Sequence, residues 1–140
     1  SLRTFYSTAL PLSIENTKFP KWNDFSSKNI SYISQLISAP YQWLKRDIDR
    51  GFWLSKWERK TIDELFENAP KLIPIYSHRY VPMLNHADPP VISTVGRDTI
   101  CYGVSLADYF FREFCNGNTA FEEMNVPYIP LWSDILECQQ

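Results

Sequence analysis

The chain has 140 residues, a hydrophobic fraction of 44%, an aromatic fraction of 16% and a net charge of −2. That length is one domain's worth, and a chain of this size buries roughly two thirds of its unfolded surface, enough for a core without staples. The composition excludes disorder, the small net charge excludes a generic polyanion binder, and no apolar run approaches the ~20 residues of a membrane-spanning helix.

Residues 2–22 carry Pro11 and Pro20 with no clean period, which predicts extended chain with a short edge strand near Thr8–Leu12. Ile30, Ile33, Leu36 and Ile37 then recur at helical steps, with Ser26 or Ser27 placed to cap the start. Pro40 is expected to end or reset this helix, and Tyr41–Asp49 to restart it. The stretch from Gly51 to Trp57 reads as a loop rich in large rings. Thr61 followed by Glu64 is a capping box, opening a helix whose apolar stripe is Ile62, Leu65, Phe66 and Ala69 and whose stop is Pro70.

Leu72–Tyr80 reads as a strand whose apolar part is Leu72–Tyr76, and Pro74, which lacks a donor, assigns it to a sheet edge or end. After a loop from Met83 to Pro90, two β-branched runs, Val91–Val95 and Thr99–Tyr102, flank Gly96-Arg97-Asp98 and predict a hairpin. Ser105 is a natural cap for a helix with a core face of Leu106, Tyr109, Phe110 and Phe114 and an outer Asp108–Arg112 pair. Asn116-Gly117 is its expected stop, Thr119 and Glu122 suggest a short capped turn, and Ser133 can cap a last helix through Leu136. The pattern is that of a single α+β domain.

Charge is unevenly placed. Residues 1–60 hold ten Lys/Arg against five Asp/Glu, for +5, and residues 61–140 hold four against eleven, for −7. A basic front and an acidic back can serve as two binding faces or simply be solvated surface. Cys101, Cys115 and Cys138 fit neither a disulfide framework nor a zinc knuckle, and read as reduced thiols, with Cys101 and Cys115 acting as small hydrophobes. The first dozen residues lack the basic head and apolar run of a signal peptide, so the expected location is cytoplasmic.

Catalytic chemistry finds no motif. A Gly-x-Ser-x-Gly elbow and a phosphate-cradling glycine loop are both missing, and His78 and His86 match no zinc spacing, so neither metal nor cofactor is expected. Polar residues at a strand end are common site furniture. His78 can act as acid or base and Arg79 can hold an anion, unless they merely bond a loop carbonyl and an acid such as Asp98 or Asp108. A small-molecule site or enzyme would use His78, Arg79, Asp98 and Tyr102. Lys45, Arg46, Arg50, Lys56, Arg59 and Lys60 surround Phe52, Trp53 and Trp57, the best composition for nucleic acid, but Asp47, Asp49 and Glu58 dilute it. Rings such as Trp53 and Trp57 grip proteins as readily.

Four segments together carry a resemblance. They are Gly51-Phe52-Trp53 with Trp57; Ala69 to Pro82, containing Leu-Ile-Pro-Ile-Tyr-Ser-His-Arg-Tyr-Val-Pro; Pro90 to Gly103 leading into Leu106–Tyr109; and Ile129 to Asp134. In this order they resemble a set of mostly microbial proteins that look related to the SUKH superfamily, which contains bacterial toxin-immunity proteins and fungal cell-wall regulators. The resemblance covers about residues 50–136 and matches residues 1–49 poorly. It implies a central, mainly antiparallel sheet flanked by helices, and a non-enzymatic role in binding another protein, with no catalytic residue to carry over. The candidate ligand or partner contacts are Trp53, Trp57, His78, Arg79, Tyr80, Asp98 and Tyr102.

Overall fold

The computed structural model describes residues 19–22, 24–115 and 126–137. The expected edge strand at Thr8–Leu12, the stop at Asn116-Gly117, the turn at Thr119–Glu122 and Cys138 lie outside them.

Helix α1, Ser27–Asp49, is capped by Ser26, whose side chain accepts from the Asn29 N–H. It runs unbroken through Pro40, contrary to the expected reset at that residue. Proline removes one i→i−4 bond from a helix interior. Here Pro40 is itself buried and Leu44, one turn on, is wholly buried, so packing on the core holds both halves in line. A 3-10 turn, Ser55–Trp57, follows, and then α2, Ile62–Glu67, opened by the full Thr61/Glu64 capping box.

The strands are β1 (Leu72–Tyr76), β2 (Arg79–Pro82), β3 (Val91–Val95) and β4 (Asp98–Gly103). They form one four-stranded antiparallel sheet in the order β1-β2-β3-β4. The expected single strand Leu72–Tyr80 is thus a hairpin. Tyr76 pairs with Arg79 across Ser77-His78, with Ser77 at φ +53. Glycine is the usual occupant of that left-handed corner, and its absence hid the turn. The second hairpin turns on two residues, Gly96 at φ +65 and Arg97, rather than three, because Asp98 pairs with Val95 as the first residue of β4. Asp47 of α1 accepts the Arg97 backbone N–H at 2.8 Å, tying the helix to the turn. β1 is an edge strand, as Pro74 requires.

Helix α3, Leu106–Phe114, is capped by Ser105 as expected, and Asp108 bonds both Arg112 (2.9 Å) and the Val104 N–H (2.9 Å). Helix α4, Trp132–Glu137, begins one residue before Ser133, whose hydroxyl instead accepts from the Ile129 N–H at 2.8 Å.

Alternation along the strands sends side chains to two covered faces. Leu72, Tyr80 and Ile92 face Leu44 of α1, Leu54, Trp57, Leu65 of α2, and Trp132 and Ile135 of α4. Ile75, Val81 and Val91 face Leu106 and Tyr109 of α3. The sheet is sandwiched, so β3 has four consecutive buried residues, the polar Ser93 and Thr94 among them. Among the described residues no helix is long and apolar enough to cross a membrane.

Candidate binding site

Arg79 opens β2 and pairs in register with Ser93 of β3, so the two side chains stand together on the α3 face of the sheet. Its Nη1 donates to Ser93 Oγ at 2.7 Å and its Nε to Glu113 Oε2 at 3.3 Å. Its guanidinium lies 3.8 Å from the centroid of the Tyr102 ring, within cation–π range. The Arg79 and Glu113 side chains are only 12% and 18% exposed. The arginine is therefore a rivet between strands and helix α3. Its acid partner is Glu113, not the expected Asp98 or Asp108.

Rings surround the rivet. Tyr109 stands edge-on to Tyr102 at 6.1 Å, and Tyr76, Phe19 and Phe114 pack against one another at 4.8–6.1 Å. The Tyr109 hydroxyl is buried without a hydrogen-bond partner among the described residues, and burial, followed by the nearby Glu113 carboxylate, pushes its pKa up.

The other candidates divide between core and surface. Tyr80 is wholly buried on the opposite face, and burial, with Tyr32 as a lesser influence, pushes its hydroxyl up to about 12. Trp57 is wholly buried too. Neither residue offers a surface to a partner. His78, in the β1–β2 turn, is half-buried, its Nδ1 lies 3.1 Å from Ser77 Oγ, and its carbonyl accepts from the Thr94 N–H at 3.1 Å. Asp98 is exposed at the start of β4, and Trp53 remains exposed with its ring edge-on to Trp57 at 5.6 Å. The structure thus brings Arg79 and Tyr102 together and leaves Trp53 and Asp98 at the surface.

A second polar constellation had no local signature. Asp134 of α4 is buried and accepts from Trp57 Nε1 at 2.8 Å, from the Tyr128 hydroxyl at 2.9 Å and from Lys56 Nζ at 3.4 Å. Burial raises its pKa, but the bonds from Trp57 and Tyr128, then the Lys56 charge, outweigh that and hold the carboxyl below its usual range. The clasp joins residues more than 70 positions apart, so only the fold reveals it.

Cys101 is half-buried, and burial raises its thiol pKa. Cys115, read as a small hydrophobe, is exposed. Among the described residues no group of three or more His, Cys, Asp or Glu side chains could hold a metal ion. The chain matches no family model, no curated protein and no solved structure.

Proposed function

We propose that the chain is a non-enzymatic protein-binding domain, of the immunity or regulatory kind that its resemblance to the SUKH superfamily implies. The observation that carries this reading is the engagement of Arg79. The residue best suited to hold a substrate anion is spent on Ser93, Glu113 and Tyr102. That weighs against the alternative, a small-molecule site or enzyme built on His78, Arg79, Asp98 and Tyr102.

The structure also sorts the acidic residues of the second half. Asp108, Glu113 and Asp134 are paired internally. Asp63, Glu64 and Glu67 of α2 are exposed, with Asp88 and Asp98. The exposed acids of α2 suit a basic protein partner, such as a nuclease-type toxin, through charge attraction that speeds and selects encounter. The test is capture of the product of the neighbouring gene by the tagged chain across a salt series. A complex at low salt that weakens as salt rises, and weakens further in Asp63→Asn/Glu67→Gln, is expected. Absence of a complex at low salt, where attraction is strongest, would overturn the reading.

A further inference from the structure

The basic stretch around Trp53 looked diluted in sequence by Asp47, Asp49 and Glu58. The fold removes two of those three acids. Asp47 Oδ2 accepts the Arg97 N–H at 2.8 Å, and Asp49 is paired with Lys45 at 3.3 Å. One cation is also spoken for: Lys56 reaches Asp134 at 3.4 Å. What remains is Arg46, Arg50 and Arg59, with Lys60, all exposed, and the exposed indole of Trp53.

Their proximity follows from the chain itself. Arg46 and Arg50 lie one helical turn apart at the end of α1. Three residues of chain keep Arg50 and Trp53 within about 11 Å, and Trp53 rests edge-on at 5.6 Å against Trp57, two residues before Arg59. Trp57 is fixed in turn by its 2.8 Å bond to Asp134. The indole is therefore held in place before any partner arrives, which lowers the ordering cost of binding. Arginine forks match carboxylates two bonds at a time.

We propose that Arg46, Arg50, Arg59 and Trp53 form a second docking surface, for an acidic protein segment that sets carboxylates on the arginines and one apolar side chain on the indole. The surface is distinct from the acidic one on α2 and does not depend on it. A nucleic acid fits less well. One exposed ring gives a single stacking platform where strand binders use several.

The test is titration of the isotope-labelled full chain with a short Glu/Leu peptide at low salt, read by amide and indole N–H shifts. Saturable shifts are expected at the Trp53 indole and at the Arg46, Arg50 and Arg59 amides. In the triple variant Arg46→Gln/Arg50→Gln/Arg59→Gln, affinity should fall roughly tenfold or more, while the sheet amides stay in place and capture of a basic partner is unchanged. No shifts at these residues, or equal affinity in the triple variant, would overturn the proposal. So would an oligothymidylate that binds there more tightly than the peptide, which would reassign the surface to nucleic acid. Loss of basic-partner capture alone would count against the α2 reading and leave this one standing.

Discussion

Replacing Gly103 by alanine is expected to cost about 2–3 kcal/mol and to lower the thermal midpoint by roughly 10 °C. Gly103 ends β4 and lies against the backbone of α3. A Cβ there would sit 2.8 Å from the Tyr109 nitrogen and 2.9 Å from its Cα. Those atoms belong to the helix backbone, so relief requires α3 to move off the sheet rather than a side chain to turn. Gly→Ala also restricts the unfolded chain, which favours folding by only ~0.4–1 kcal/mol. The overpacking penalty is larger, so the net sign is destabilising. Denaturant unfolding checks it. A stability equal to or above wild type would show that α3 does not pack on Gly103 this closely.

The second large effect belongs to Asp134. Asp134→Ala removes the acceptor of a buried indole N–H, and leaving a buried donor unsatisfied costs ~1–3 kcal/mol on its own. With the Tyr128 bond added, the expected loss is about 3 kcal/mol. Lys56 adds little, because its side chain is 42% exposed and well solvated. Asp134→Asn keeps a carbonyl oxygen for Trp57 and should lose about half as much. The two variants also differ from wild type in pH response. The Asp134 pKa is lowered on folding, so the native state binds fewer protons than the unfolded one. Its stabilisation is full above the ordinary value of 3.8 and is lost as pH falls through the lower folded value. The stability gap between wild type and Asp134→Asn should therefore hold constant from neutral pH to about pH 5 and shrink below it. A gap that widens on acidification would mean that burial, not the three donors, dominates this carboxyl.

Much of the fold was legible because its signals are local. The Thr61/Glu64 box, the Ser105 cap with Leu106, Tyr109 and Phe110 of the expected stripe (Phe114 is exposed), and the glycine-bearing β3–β4 turn each lie within a few residues. Pro40 misled because intrinsic cost was weighed without the core that Leu44 anchors. The β1–β2 turn was missed because Ser77, not glycine, takes the positive φ. The polar constellations were legible only in part. Arg79 and Tyr102 stood out as residue types, but Glu113 is 34 positions from Arg79. Which acid pairs with which cation is decided by packing that brings distant elements together. Trp57 stood out for its ring, and the same apolar area that suggested an interface drew it into the core. Burial of that kind leaves no trace in residue type.

On the proposed reading the His78-Arg79-Tyr80 block is frame rather than site. A double-mutant cycle on Arg79 and Glu113, read by denaturant unfolding alongside partner capture at matched folded fraction, tests it directly. The pair is largely buried and 3.3 Å apart. Arg79→Ala should cost about 3 kcal/mol. The pairwise coupling should be about 1 kcal/mol or more, and capture should be unchanged. An Arg79→Ala protein within ~0.5 kcal/mol of wild type that has lost binding would contradict the claim and make Arg79 a ligand contact.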